Sequence, residues 1–548
     1  MSWIALVGPE IEENLSLRYL ASSLAAAGFS AEIIPCNGEH HVVPAVQAIL
    51  TAPEPPLMVG LSLAFQWRAL DMLALALALR EGGYVGHVTI GGHFATFAAT
   101  ELLSDFPEID TVVRQEAEET MVALASAVES GGPLDGIAGL ALRDERGVQL
   151  TAMPAVPDLA KLPWPDRRGE PAACFGHGIA PFVSSRGCYA NCTFCCIAAW
   201  HEQTLPGRRY RVREPEAVAD ELAHDHHTRG TEIFVFHDDN FFVPGKKRNL
   251  ERFHALADAL EARGLRRFAT VVKARPTDVD AEVFQVLRER LHCIRCYVGV
   301  ETDSDQGLET LRRWARPRQN HEAIEIVRAL GLYVCFNMLI FDPDTTLESL
   351  HVNLDFMEFA ADYPSNFGRV ELYAGTPLLH RMKQEDRVRG DYLQWDYDLH
   401  DAGVERVFRL AMTAFHARNF GPGALNNRIM GTRFDVEVAR HFHPDRFRPE
   451  WMARGIELTR ALGCDSVAAL REIMQRVESG TPDRDDAEFA ADLATRLRRR
   501  ESQIDAGARA LAEALYTAIG QGLPLTVLGD RVATPLQRGT QPEAAQSP

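Results

Sequence analysis

Positive charge is scarce in this chain. Its 548 residues carry 57 Lys and Arg against 76 Asp and Glu, a formal net charge of −19. A polyanion such as nucleic acid is held mainly by Lys and Arg, so the deficit argues against nucleic acid as the main partner. Long apolar runs are also missing. The run DMLALALALREGG is too short to cross a bilayer and charges flank it, so no membrane span is expected. The opening MSWIALVGPE has no basic segment ahead of its apolar residues, so no secretory signal is expected either. Nor do the cysteines have the dense spacing of a disulfide-bonded secreted domain: Cys36, Cys174, Cys293, Cys296, Cys335 and Cys464 are scattered. These absences predict a protein of the reducing cytoplasm. The length predicts about three domains, and 46% hydrophobic residues support large cores.

The other four cysteines stand together in SSRGCYANCTFCC. Cys188, Cys192 and Cys195 form a C-x3-C-x2-C triplet on a loop opened by Gly187. Three thiolates so close can wrap one soft metal centre, whereas ordinary iron–sulfur clusters take four. A [4Fe–4S] cluster held by three leaves one iron open to a substrate or cofactor. The alternatives are a structural zinc site and surplus thiols in a buried strand. Zinc would want a fourth Cys or His at partner spacing, and Cys196, adjacent to Cys195, is badly placed to supply it.

From residue 1 to about 135, short apolar runs (WIALVG, SAEIIPC, LMVGLSL, HVTIGGH) alternate with amphipathic patterns (NLSLRYLASSLAAAG, PAVQAILTA, ALDMLALALALREGG). This predicts a doubly wound parallel sheet, whose ligands bind at the carboxyl ends of the strands. Residues 136–175 are rich in Pro and Gly and read as a linker. From 176 to 400 the alternation resumes with longer periods. APFVSSRG, TEIFVFHDDNF, RFATVVKARP, CIRCYVGVET, GLYVCFNMLI and GRVELYA are the predicted strands of six βα units. Residues 401–535 have a helical period, with His441 and His443 in a predicted turn, and 536–548 form a predicted disordered tail. The arginine runs at 208–213 and 312–318 read as solvated helix faces or as sites for anions.

With Phe194 ahead of its third cysteine, the triplet resembles the C-x3-C-x-aromatic-C signature of radical S-adenosylmethionine (SAM) enzymes. The resemblance implies a partial (βα)6 barrel of TIM type over 176–400, with SAM chelated to the open iron of a [4Fe–4S] cluster held by Cys188, Cys192 and Cys195. It places Phe194 beside SAM. It puts Asp238, Asp239 and Asn240, at the end of the second strand, near the SAM amino group; helix capping is the other reading of such residues. Arg275 faces the SAM carboxylate or a substrate anion, or else is a surface residue. Glu301 in GVET, with Ser304 beyond it, corresponds to the element that reaches the SAM ribose. The fifth strand, FNMLIFDPDTT, lacks the family's glycines there. YAGTPL resembles the family's PGTPL element, and Tyr373 within it lines the substrate cavity or is a core tyrosine.

The first 135 residues resemble the cobalamin-binding domain that precedes many radical SAM domains. The resemblance rests on the strand end at Ser62, on the IGGH turn with Gly91 and Gly92, and on VVRQEAEET with Glu116. It implies a corrin approached by these residues, with Gln66 and Trp67 of the following loop covering its lower face. One departure stands out. Many such domains carry a cobalt-ligating His after the first strand, and GPEIEENLS has none. Bound cobalamin would then be base-off with no histidine from that loop. The departure equally permits a domain that binds no cobalamin.

The resemblance implies a cobalamin-dependent radical SAM methyltransferase acting on an unactivated carbon of a small-molecule or peptide substrate. Electrons would come from a donor such as flavodoxin or ferredoxin. Two alternatives stay open. One is a non-methylating radical SAM enzyme catalysing ring contraction, cyclisation or epimerisation, for which Cys335 is the candidate hydrogen donor. The other is a cobalamin- or metal-binding sensor without turnover.

Overall fold

The computed structural model describes residues 2–421 and 423–520. The expected tail at 536–548, and the 521–535 part of the helical region, lie outside the described residues. The chain divides into two compact units, each drawn from separate stretches of sequence. The first comprises Met1–Glu170, Pro181–Glu221 and Glu371–Tyr397; the second comprises Pro171–Ala180, Leu222–Val370 and Asp398–Pro548.

The first unit is built on a seven-stranded sheet. Its order is Ser30–Pro35, Trp3–Gly8, Met58–Ser62, His87–Gly91, Thr111–Val113, Leu140–Asp144, Gly147–Leu150. The first five strands are parallel. Helices cover both faces, which is why strands such as WIALVG are continuously apolar rather than alternating. Ile4, Leu6, Leu17, Leu24, Met121 and Leu124 pack on one face. Val7, Val59, Leu61, Met72, Leu75, Ile90 and Leu102 pack on the other. The strand order reverses direction between Trp3–Gly8 and Met58–Ser62. That is the topological switch point at which open α/β sheets bind ligands.

The second unit carries a curled half-barrel sheet. Its order is Ser365–Arg369, Val334–Phe341, Cys293–Glu301, Ala269–Ala274, Thr231–Phe236, His177–Phe182, Ala172–Cys174. The five strands from Thr231 to Arg369 pair in parallel, with helices Lys246–Ala262, Ala281–Arg290, Pro317–Ala329 and Leu347–Phe359 between them. Four helices follow: Ala402–Asn419, Leu425–Phe442, Pro449–Glu478 and Asp486–Ile519. Arg418, 1% exposed, fastens three of them. Its guanidinium donates to Asp465 and Glu501 at 2.7 Å each and to Ser466 at 3.0 Å. A doubly wound parallel sheet, a partial barrel and a helical C-terminal region are the fold class expected from the sequence. Among the described residues no helix is long and apolar enough to cross a membrane.

Four elements differ from the sequence reading. Residues 140–150, read as linker, form a hairpin that extends the first sheet antiparallel. Leu140 and Ala141 are buried, and the turn closes on Asp144, which accepts from the Arg146 N–H at 2.7 Å. APFVSSRG is two strands. The chain leaves the barrel sheet after Phe182, and Ser185–Gly187 pairs antiparallel with Tyr210–Val212. The sixth barrel strand is Ser365–Arg369, so YAGTPL lies beyond it, in a turn whose Thr376 caps helix Pro377–Gln384. Helix Leu425–Phe442, inside the region read as helical, runs through His441, which the sequence reading put in a turn, and it buries Arg433, Asp435 and Glu437.

Candidate functional site

In the first unit the cysteine loop runs from Gly187 to the start of helix Cys196–Thr204. Gly187 has φ +83°, and a Cβ there would collide with the Arg209 carbonyl. Only glycine lets the paired strands close tightly enough to launch the loop. The Cys192 carbonyl accepts from the Cys195 N–H at 3.3 Å, and the Cys188 sulfur accepts from the Ala190 N–H at 3.4 Å. Burial pushes the Cys195 thiol well up, and Cys196, Cys192 and Cys188 add to the push, so the four sulfurs share one neighbourhood. Among the described residues no three His, Cys, Asp or Glu side chains close round a single ion. Three thiols on one loop are the donor set of a cluster, whose cysteines bind separate irons.

The cobalamin candidates of the same unit lie at the strand ends beside the switch point. Ser62 ends its strand against Gly8, where a Cβ would stand 2.8 Å from the Ser62 Cβ. Gly92 has φ +119°, and a Cβ would stand 2.7 Å from the Leu63 carbonyl. That glycine is therefore demanded by its own chain. Beyond Ser62, Trp67 stacks on Phe65 with centroids 6.0 Å apart and receives the Arg68 guanidinium 4.7 Å from its ring. Phe65 is 40% exposed, whereas Gln66 is buried and its Oε1 has no hydrogen-bond partner among the described residues. Gln115 Oε1 is buried and unpartnered too. Orphaned acceptors of this kind suit a ligand bearing N–H donors, as the amide side chains of a corrin do. Glu116 faces inward and pairs with Arg186 at 2.7 Å and with Arg211. Its carboxylate is thus engaged by the cysteine-loop strands.

Sequence reasoning missed Gln115. Its left-handed backbone, φ +66°, turns its side-chain amide toward helix Cys196–Thr204, where it donates to the Trp200 carbonyl at 3.2 Å and to Gln203 at 2.7 Å. The segment after the sixth barrel strand joins the same region. The Leu378 N–H donates to the Thr193 carbonyl at 2.9 Å, and Gly375, at φ +73°, lies flat against the Phe97 ring. The Tyr373 hydroxyl donates to Glu371 at 2.5 Å. Burial, Glu371, and then Cys196 and Cys195 hold its phenol well above the ordinary range. The weak tyrosine candidate of the sequence therefore lies within electrostatic reach of the cysteine loop.

In the second unit the barrel strands end in a linked set of polar groups. Asp238 is fully buried, Asp239 is exposed, and Asn240 is buried. Both ends of the Asn240 amide are engaged locally: Nδ2 donates to Asp278 at 3.1 Å, and Oδ1 accepts from the Phe242 N–H at 3.2 Å. Arg275 is buried, donates its own N–H to Asp278 at 2.9 Å, and extends its guanidinium to the Arg313 carbonyl. Glu301 ends its strand with φ +68°, a conformation strained for a residue with a Cβ. Burial raises its pKa against the opposing pull of Arg313 and Arg275. Gly299 makes room for this group, since a Cβ there would lie 3.0 Å from Glu301 Oε1 and 3.4 Å from Arg313 Nη2. Ser304 caps helix Asp305–Thr310, its hydroxyl accepting from the Gly307 N–H at 3.1 Å. Cys335 is fully buried in its strand, and burial pushes its thiol up to about 12.

Two residues of this set were not singled out from sequence. Asp278 sits in ARPTDVD, which reads as a helix cap. Arg313 sits in the arginine run read as a solvated face or an anion site; it is 5% exposed, which excludes the solvated face for it, while Arg312 and Trp314 beside it have φ +50° and break the helix.

Residues 3–125 match the protein-family model described as B12 binding domain, and residues 182–357 match the radical SAM superfamily. An uncharacterized methyltransferase of Pyrococcus horikoshii is 26% identical over 66% of this chain and 77% of its own. The hopanoid C-3 methylase of Methylococcus capsulatus is 27% identical over 70% of this chain and 71% of its own. The anaerobic magnesium-protoporphyrin IX monomethyl ester cyclase of Cereibacter sphaeroides is 25% identical over 68% of this chain and 58% of its own. Among solved structures, the cobalamin-dependent SAM radical enzyme OxsB with aqua-cobalamin bound is similar over 94% of this chain and 80% of that one, with TM-score 0.63 at 17% identity. The radical SAM methyltransferase TsrM of Kitasatospora setae, with cobalamin and a [4Fe-4S] cluster bound, is similar over 70% and 75%, with TM-score 0.58 at 18% identity.

Proposed function

We propose that this chain, which belongs to the radical SAM enzymes carrying a B12-binding domain, transfers a methyl group to an unactivated carbon of a small-molecule or peptide substrate. The carrying observation is the segment 371–378, which touches the cysteine loop at Thr193 and the helix after the Gly91–Gly92 turn at Phe97. Within one unit, the cluster loop and the corrin side share a wall.

The bound cofactors supply the difficult chemistry: the cluster and SAM the radical, cobalamin the methyl group. The chain's own residues position and shield. Cys188, Cys192 and Cys195 would hold the cluster through three thiolates. Glu301, with Arg275 and Arg313 beside it, receives SAM, Glu301 accepting from the ribose hydroxyls and the guanidinium of Arg275 meeting the carboxylate. Asp238 to Asn240 would complete that cradle in the second unit, while Phe194 stands beside the third cysteine of the cluster loop in the first. Phe65 and Trp67 would lie against bound cobalamin, and the unpartnered Oε1 atoms of Gln66 and Gln115 would accept from its amides. No histidine follows the first strand, so this loop would offer bound cobalamin no imidazole. The electron donor is a flavodoxin- or ferredoxin-like protein.

The relatives include a named cyclase, and one local pair favours a second reading. Glu371, hydrogen-bonded to Tyr373 near the cysteine loop, is placed to take a proton, as a ring-forming reaction would require. Anaerobic reconstitution with cluster, SAM, cobalamin and a reductant separates the readings. Methyl transfer yields S-adenosylhomocysteine together with 5′-deoxyadenosine. Deoxyadenosine without S-adenosylhomocysteine would exclude methylation and leave a non-methylating radical reaction such as cyclisation.

A further inference from the structure

A cleft of about 690 Å³ opens in the second unit, lined by Arg266, Arg267, Arg446, Phe442, His443 and Ile519 among others. Arg266 and Arg267 directly precede strand Ala269–Ala274, and His177 and Glu232 nearby stand at the first residues of theirs. The cleft thus lies at the leading ends of the barrel strands. Glu301 and the other cofactor candidates of this unit lie at the trailing ends, roughly 20 Å away along strands of this length.

The lining is basic in a chain of net charge −19. Three guanidinium groups face one carboxylate, Asp445. No ion pair engages Arg266, Arg267 or Arg446 among the described residues. Arg267 donates to the Phe442 carbonyl and Arg446 to that of Ile519 at 2.9 Å, contacts that orient the guanidiniums without neutralising them. The floor is fixed by a relay in which Glu232 bonds His177 at 2.5 Å and His177 bonds His443 at 3.1 Å. His177 also stacks on Phe442 at 4.0 Å. Glu232 is hydrogen-bonded to His177 and also lies within electrostatic reach of Arg267, so among the lining residues three guanidiniums face a single carboxylate, Asp445. Pro444 is the exposed apolar wall, and Phe175, Phe442 and Ile519 back the cleft from within the core. Size, charge and apolar walls together fit a ligand pocket.

We propose that this cleft binds a phosphorylated small molecule with a flat apolar body, away from the chemistry of the strand ends that carry Glu301. Phosphate oxygens would lie among Arg266, Arg267 and Arg446, and the flat part against the exposed Pro444 and the half-buried His443 ring.

Titration calorimetry of the full-length protein with inorganic pyrophosphate and with ADP tests this. Binding of both is expected, with ADP at least about tenfold tighter through the apolar walls. Equal affinities would overturn the flat-body assignment and leave a phosphate site alone. The double variant Arg266→Ala/Arg446→Ala should weaken pyrophosphate at least about tenfold. Asp445→Asn, which removes the one opposing carboxylate, should tighten it, and that gain cannot arise from misfolding. Absence of pyrophosphate binding, or binding unchanged in both variants, would overturn the proposal.

Discussion

Asn240 and Arg275, at the ends of adjacent barrel strands, donate to the same oxygen of Asp278, the first through its side-chain amide at 3.1 Å and the second through its backbone N–H at 2.9 Å. One buried carboxylate thereby sets the spacing of two strand ends assigned to SAM. Asp278→Ala leaves two buried donors unsatisfied, a cost of about 1–3 kcal/mol each. The expected result is a lower thermal midpoint together with weaker SAM binding at unchanged iron content, measured by calorimetry and equilibrium dialysis.

Glu301→Gln keeps shape and removes charge from between Arg275 and Arg313. Charged hydrogen bonds contribute about 1.5–3 kcal/mol, so SAM affinity should fall about ten- to a hundredfold. Cluster iron should stay at the parent level. Equilibrium dialysis with labelled SAM gives the answer, and unchanged affinity would remove Glu301 from the SAM site.

Gln66 is buried with an unpartnered Oε1. Gln66→Leu removes that acceptor at similar volume. The free protein should become slightly more stable, since a buried orphan is lost, while retention of cobalamin on gel filtration should drop. A variant that retains cobalamin as the parent does would place the corrin elsewhere.

His201 gives a pH dependence. Burial, then His93, Arg211 and Arg186, push it down to about 3. An unfolded histidine titrates near 6.5. Between those values the unfolded chain takes up a proton that the folded chain refuses. Stability from neutral His201 is therefore fully present above pH 6.5 and is lost as pH falls toward 3. The loss is about 2 kcal/mol between pH 7 and 5. His201→Gln should flatten this part of the profile, followed as the shift of the thermal midpoint of the first unit between the two pH values.

Much of this was legible where spacing alone carries the meaning. The triplet Cys188, Cys192 and Cys195, the Gly91–Gly92 turn and the GVE strand end are short motifs whose chemistry is local. The sheets were legible because buried parallel strands are continuously apolar. What escaped depends on neighbours distant in sequence. Arg313 resembles its exposed neighbours until the Gly299 carbonyl 14 residues away claims it. Asp278 resembles a cap until Asn240 reaches it. The end of helix Leu425–Phe442 at His441 resembles a turn because buried charges blur its apolar stripe, and the hairpin at 140–150 hides behind a charged turn.

The first unit borrows its last wall from far down the chain. Ala374, Tyr392, Leu393 and Trp395 pack on the core of the N-terminal sheet, including the side that holds Phe94 and Leu102. During synthesis that core stays uncovered until residue 395 has left the ribosome, on the order of tens of seconds after the sheet itself. The N-terminal sheet is therefore a poor candidate for excision as a free-standing module. Cut out at residue 170, it would present fresh apolar surface and associate with itself or with chaperones.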